Sequence, residues 1–286
     1  MEDTQARVSS GLRVGTASDN AAYWSIATTM RSDNMALSAV QDALGLGGAK
    51  VDTSYAAMES AIEVVKEIKA KVVAATEEGV DKAKIQEEID QLQEQLRSVS
   101  QSASFSGENW IAGDAGTKTV VSGFVRDSTG AVTVKTTEYI LDDAADGNLL
   151  FGGDGAGNIE YTTGILGTVS AFTGVGDVSV DTLDLNAFDP ADMAANMQES
   201  LDLIETALQS MTSAAAELGS ISMRIELQED FVSTLTDSID SGIGRLADMN
   251  EESTRLKALQ TQQQLAIQSL SIANTASESI LTLFRQ

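Results

Sequence analysis

The chain contains no cysteine and no histidine. The first absence removes disulfides. The two together remove Cys/His zinc sites, haem ligation and every catalytic dyad or triad that needs an imidazole. Proline occurs once, at Pro190, and aromatic residues make up only 5% of the 286 residues. That is too few for a large core built on aromatic rings. Positive charge is scarce as well: 18 bases stand against 43 acids, a net charge of −25. Such a field repels nucleic acid and anionic lipid, so both are poor partners. No apolar run approaches the ~20 residues needed to span a bilayer, which excludes membrane insertion by a helix. The first ten residues, MEDTQARVSS, lack the basic and apolar regions of a cleavable secretory signal. An exported protein with this start needs another route, and the lack of cysteine suits export without cross-linking.

What the chain does have is helical periodicity. Met30, Leu37, Leu44, Val51, Met58, Val65 and Val72 recur every seven residues. Ile26, Val40 and Ile68 fill a second seam, with Gly47 and Ala61 as small members and Asp33 and Ser54 as interruptions. Sustained heptads predict a long helix supercoiled on a partner, from about residue 20 to residue 77. Ser18 or Asp19 is the expected N-cap, and Gly79 the left-handed residue beyond the end. At ~1.5 Å per residue this helix is a rod roughly 85 Å long. Gly45, Gly47 and Gly48 sit inside it at ~1 kcal/mol each relative to alanine. Close approach of a helix from the same subunit, or from a neighbouring one, accounts for such a cluster.

A second helix is predicted over residues 81–103, through Ile85, Ile89, Leu92, Leu96 and Val99. The texture then changes. Residues 107–176 hold 14 of the 23 glycines and alternating runs such as TVVSGFVRD and AVTVKTTEYI, which read as short strands and turns. Pro190 in FDPADM marks a helix start. Helical spacing returns through Met193, Met197, Ile204, Leu208, Met211, Leu218, Ile225, Val232 and Ile239. Gly242 and Gly244 mark a joint before a last helix rich in Gln, Ser, Thr and Ala. The expected fold is mainly α with a β-rich insert: a long antiparallel coiled-coil rod, an outer β lobe over 112–188, and terminal helices. The boundaries that follow are 1–19 for the initial joint, 20–111 and 189–243 for the two halves of the rod, and 244–286 for the terminal helix.

Sites of chemistry are not apparent in the sequence. GxSxG, SxxK, GxxxxGK and HExxH are all absent. GLGGAK at 45–50 lies within a heptad helix and lacks phosphate-loop spacing. Counting a calcium loop from Asp142 puts Ala144 at the third position and Gly153 at the twelfth, where ligands are required. Acidic pairs such as Glu77-Glu78, Glu87-Glu88 and Glu251-Glu252 read as solvated helix faces. No catalytic residue, cofactor site or metal site is assigned, and no enzyme activity is expected. Ligand binding by the 112–188 lobe is a separate possibility, as is O-linked glycosylation of its Ser and Thr residues.

The terminal segment points to assembly. Leu256, Leu259, Leu265, Ile267, Leu270, Ile272, Ile280, Leu281, Leu283 and Phe284 cannot share one narrow stripe. A helix apolar on several sides needs several partners. Its ordering is expected on association with other copies, in a repeated head-to-tail contact that gives a ring or an open filament.

The stretch ARVSSGLRVGTASDNAAYWSIA at 6–27 resembles the signature joint of bacterial flagellins. The family pattern maps without gaps onto Arg7, Val8, Ser9, Ser10, Gly11, Leu12, Arg13, Ala17, Asp19, Asn20, Ala21 and Ala22. IQEEIDQLQEQLRSVSQSASFSGEN at 85–109 resembles the family's second rod helix, and SLSIANTASESILTLFRQ its C-terminal end. YWSIATTMRSDN is similar to flagellins of rhizobial type. The resemblance implies a structural subunit of the flagellar filament used for swimming; the runner-up is a hook–filament junction (hook-associated) protein. It implies inner-tube packing at both ends, with Leu259, Ile267, Leu270, Ile280, Leu283, Phe284 and Arg285 as assembly residues. It further implies an extracellular location, self-association, and an export chaperone and hook-associated or cap proteins as partners. Family members carry about two dozen further residues ahead of this start, so weak assembly and export of the chain alone are expected. Immune receptors read two parts of the family, the joint and the rod helix. Ser18, Asn20, Tyr23 and Trp24 depart from the usual joint. Lys69 and Lys71 stand where an Arg and a Leu are usual in the rod helix, so weak recognition is expected.

Overall fold

The computed structural model of the chain describes residues 14, 16–77, 79–127, 131–246, 254 and 256–270. Helix α1 spans Ala21–Ala75 and α2 Lys82–Ser102. After the β insert, with its single-turn helix α3 at Gly164–Gly167, helix α4 spans Met193–Leu246. Residues 256–270 are helical again and are called α5. Two compact units emerge. One comprises Ala39–Val232, and the other takes the segments before and after it.

In the Ala39–Val232 unit α1 and α4 run antiparallel. Gly48 faces Ile225, Asp52 accepts a hydrogen bond from Ser222, Tyr55 faces Gly219, and Lys69 pairs with Glu205. Each pair of residue numbers adds to 273 or 274, a constant register. The heptad seam supplies the contact: Leu44, Val51, Met58, Val65 and Val72 are all buried, as are Val40, Ala61 and Ile68. From α4 come Ile204, Met211, Leu218 and Ile225. Gly79 takes φ +88° beyond the end of α1, as its position in the sequence predicted. Helix α2 turns back along α1, where Lys71 pairs with Glu88.

In the other unit Asn34 donates to Asp240, and a Cβ on Gly242 would meet the Met30 methyl at 2.8 Å. Two sequence expectations change here. Ile26 is 51% exposed while its neighbour Ala27 is buried. The pairing of Met30 with Gly242 and Asn34 with Asp240 sets Ile26 opposite Leu246, the last residue of α4. The cap also differs. Asn20, and neither Ser18 nor Asp19, caps α1: its Oδ1 accepts from the amides of Ala22 at 3.1 Å and Tyr23 at 3.2 Å. Only the residue directly before the first helical position reaches the second and third amides. Asp19 instead closes the preceding turn, accepting from the Thr16 amide at 2.9 Å.

The insert is built on one long hairpin. Strand β4 (Gly116–Arg126) pairs antiparallel with β5 (Val132–Leu141), with a bulge between Val121 and Gly123. Before it, β1 (Ser104–Phe105) and β2 (Glu108–Asn109) form a small hairpin. Strands β3 (Ala112–Gly113), β6 (Phe151–Gly153) and β7 (Ile159–Glu160) make a three-stranded sheet whose first pair is parallel. Strands β8 (Ser170–Phe172) and β9 (Gly176–Val178) form a separate antiparallel pair. Eight of the thirteen aromatic residues fall between Phe105 and Phe188, so the few rings are concentrated in one small core. Trp110 stacks on Tyr139 with centroids 6.0 Å apart, and Phe151 meets Tyr161 edge-on at 4.9 Å.

The insert shares one compact unit with the helices. A two-stranded hairpin has too little apolar face to stand alone, and this one lies on the helical layer. A Cβ on Gly47 would sit 2.2 Å from Val120 Cγ1, and one on Gly123 3.3 Å from the Gln228 amide. The glycine cluster in α1 therefore divides: Gly47 admits the hairpin, Gly48 admits α4, and Gly45 meets nothing within 4 Å.

Candidate assembly surfaces

The joint at the start of α1 is described from Thr16 onward. Ala17 lies in an exposed turn and Ala21 and Ala22 in the exposed first turn of the helix. Asp19 and Asn20 make the cap interactions above, and Tyr23 is 44% exposed. Arg7, Ser9, Ser10, Gly11, Leu12 and Arg13 lie outside the described residues.

Helix α5 carries its apolar side chains outward. Leu265, Ile267 and Leu270 are 60%, 61% and 66% exposed, and Leu259 is half-buried. Ile280, Leu283, Phe284 and Arg285 lie outside the described residues. Lys69 and Lys71 belong to interhelical ion pairs, with Glu205 of α4 and Glu88 of α2. The hydrogen bond and charge of Glu88 raise the Lys71 ammonium above its ordinary pKa.

A polar clamp escaped the sequence reading. Gln86, Gln93 and Ser100 repeat every seven residues on α2 and are buried, whereas Leu92 and Val99 are half-buried. Gln86 donates to the Leu183 carbonyl at 3.0 Å and accepts from the Leu185 amide at 2.8 Å. Gln93 donates to the Val180 and Leu183 carbonyls. Arg97 grips the buried Asp181 carboxylate through two nitrogens, at 2.8 and 2.7 Å. The signal was present as a seven-residue repeat of amides, which a search for apolar residues passes over. Nearby, Lys50 pairs with Glu108 at 2.9 Å. That hydrogen bond, with a second from Trp110, holds the Glu108 carboxyl below its ordinary range.

Two further surfaces come from geometry alone. On β5, Tyr139 and Leu141 point inward and are buried, while Val132, Val134 and Ile140 on the other face are 49%, 52% and 65% exposed. Between α1 and α4 lies an open groove of about 720 Å³, lined by residues that include Tyr55, Glu59, Ile62, Glu63 and Lys66 of α1 and Thr212, Ala215 and Gly219 of α4. Among the described residues there is no cluster of three or more His, Cys, Asp or Glu able to hold a metal ion. No helix among them is long and apolar enough to cross a membrane.

These surfaces face outward from a paired-helix scaffold, and the scaffold matches a known family at both ends. Residues 1–115 match the bacterial flagellin N-terminal helical region, and residues 201–284 the bacterial flagellin C-terminal helical region. The chain belongs to the bacterial flagellin family. Flagellin D of Rhizobium meliloti strain 1021 is 52% identical over 378 aligned residues, covering 100% of this chain and 94% of the relative. Flagellin A of the same strain is 52% identical over 377 residues with the same coverage. The flagellin of Brucella melitensis biotype 1 is 41% identical over 288 residues, covering 100% of this chain and 92% of the relative. A structure from Vibrio parahaemolyticus, titled as a flagellar hook-associated protein, superposes with a TM-score of 0.51 at 16% identity. It covers 80% of this chain and 100% of its own. That likeness shows the fold alone. The full-length relatives carry the name flagellin, so this flagellin is of rhizobial type and is a structural subunit of the filament, with less support for a hook-junction role.

Proposed function

We propose that this flagellin polymerises through apolar faces that its own fold leaves open, and that its two ends line the inside of the resulting filament. The observation that carries this reading is α5, whose Leu265, Ile267 and Leu270 are all at least 60% exposed. Burying such side chains stabilises by ~1.5–3 kcal/mol each, and only another copy offers a repeating place to bury them. On this reading residues 1–19 and 244–286 form inner-tube segments, 20–111 and 189–243 the surrounding rod, and 112–188 the outward side. The joint residues Ala17, Asp19, Asn20, Ala21 and Ala22 belong to subunit packing, together with Arg7, Ser9, Ser10, Gly11, Leu12 and Arg13.

The subunit works outside the cell, in the filament. An export chaperone, cap proteins and hook-associated proteins are its partners in transit and at the filament ends. It acts as a structural element and carries out no catalysis. Lys69 and Lys71 face potential immune receptors on the rod, and their engagement by Glu205 and Glu88 supports weak recognition. Sedimentation and electron microscopy of purified protein, with and without short filament seeds, test the assembly reading. Hydrogen exchange at residues 256–270 is expected to be fast in the monomer and strongly slowed in the pellet. Protein that stays monomeric with seeds, or keeps fast exchange in the pellet, contradicts it.

A further inference from the structure

We propose that the cavity under the β4–β5 hairpin is a carboxylate-binding site, and that in the filament an acidic side chain of a second copy fills it. The second half of this rests on the filament reading above. Regular strand alternation would turn Ser122 and Gly123 to opposite faces. The bulge between Val121 and Gly123 breaks that alternation. A Cβ on Gly123 would meet the Gln228 amide of α4, and Ser122 lines a cavity against the same helix. Both residues therefore face α4. With no side chain on Gly123, a space of about 270 Å³ stays open between hairpin and helices.

The lining of this cavity has two halves. Leu44 of α1 with Ile225 and Leu227 of α4 make an apolar wall. Ser122, Thr137, Arg224 and Gln228 bring two hydroxyls, a guanidinium and an amide, and no acid stands among them. Inside the molecule Arg224 makes one hydrogen bond, its Nη2 donating to Thr137 Oγ1 at 3.1 Å. A guanidinium has five N–H donors in a fixed fork, so most of its capacity is left for a planar, two-oxygen acceptor. Lys135, opposite Gly123 in the hairpin register, adds a second cation on the face that carries Thr137. Glu138, the acid of β5, alternates to the other face. Among the described residues neither Arg224 nor Lys135 pairs with a carboxylate, whereas Lys50, Lys69, Lys71 and Arg97 each do. A carboxylate on a short aliphatic stem satisfies both halves: its stem lies on the apolar wall and its oxygens meet Arg224.

Charge points to the source. With 43 acids against 18 bases, most carboxylates of the chain have no base of their own. Each subunit that joins a filament presents this surplus to its neighbours at high effective concentration. A contact between a basic cavity on one copy and an acidic side chain on the next joins unlike patches, so it propagates instead of closing a dimer.

Sodium propionate, a carboxylate on a short stem, is the probe. In the full-length monomer the Arg224 Nε–H resonance, assigned by its loss in Arg224→Gln, should shift saturably with propionate and not with equal sodium chloride. In seeded polymerisation Arg224→Gln should raise the critical concentration several-fold. Arg224→Lys keeps the charge without the fork and should recover only part of that loss. Propionate should raise the critical concentration of the parent and leave that of Arg224→Gln unchanged. Ser122→Leu fills the cavity with Arg224 intact and should act as Arg224→Gln does, which separates the site from any effect of the arginine on folding. Absence of a saturable shift overturns the site, and filaments formed alongside leave the assembly reading standing. A shift with no effect of propionate or of either variant on polymerisation overturns the second copy as occupant. Failure of the parent to grow on seeds removes the assembly reading and the occupant with it, while the shift still decides the site.

Discussion

Gln86 and Gln93 hold the segment between Val180 and Leu185 to α2 by four hydrogen bonds to backbone atoms. A buried amide that satisfies backbone groups contributes little in net terms, but its removal leaves those groups dry and unpaired, at ~1–3 kcal/mol. Gln86→Leu is nearly isosteric and strands the Leu185 amide, while the Leu183 carbonyl keeps a second donor in Gln93. Its urea midpoint should fall by a stability loss of about 1–3 kcal/mol, and an unchanged midpoint would dismiss the clamp. The Lys50–Glu108 pair gives a pH signature. Glu108 is held below its ordinary 4.5 in the folded chain, so its contribution is present above that value and is lost as pH falls below it. Lys50→Met removes the main cause. Between pH 5 and the acid limit, the variant should lose less stability than the parent; parallel curves would show the pair contributes nothing. Residues of this kind were the least legible from sequence. A buried glutamine and a solvated one look alike until the loop that it grips, some ninety residues away, is in place.

At the scale of elements, the sequence was read well where the signal is periodic and poorly where pairing is distant. The buried stripe of Leu37, Leu44, Val51, Met58, Val65 and Val72 followed directly from seven-residue spacing. The two long strands showed their alternation. By contrast β3, β6 and β7 are two or three residues long. Their sheet exists because Ala112 meets Phe151, 39 residues further on, a pairing that no local window contains. The glycines of α1 show how packing decides what propensity cannot. Gly45→Ala adds a methyl in open space and gains helix propensity, so it should raise stability by up to ~1 kcal/mol. Gly47→Ala gains the same propensity but drives a methyl into Val120. Valine on a strand has little rotamer freedom to yield, so the net effect should be destabilising by about 1–3 kcal/mol, typical of overpacking. Adding Val120→Ala should recover part of the loss. Thermal melts of the three variants check this, and a stabilised Gly47→Ala would mean that the hairpin sits loosely on α1.

For the whole molecule, the dominant quantity is a charge of −25 on 30.0 kDa. Packing many such subunits together brings like charges within a few ångströms, and exposed apolar side chains such as Leu265, Ile267 and Leu270 of α5 must overcome that repulsion. That repulsion involves the whole acidic surplus. Salt therefore acts mainly on the repulsion. The screening length falls from ~30 Å at 0.01 M to ~8 Å at 0.15 M, which removes distant repulsion while leaving close contacts largely intact. The critical concentration for polymerisation should drop by roughly tenfold or more over that range, since ~1.4 kcal/mol of relieved repulsion per added subunit suffices for a factor of ten. Helix content of the monomer should change little over the same range. Sedimentation at a series of salt concentrations measures the first and circular dichroism the second. A critical concentration that rises with salt would mean that complementary charges, and not the apolar faces, hold the subunits together.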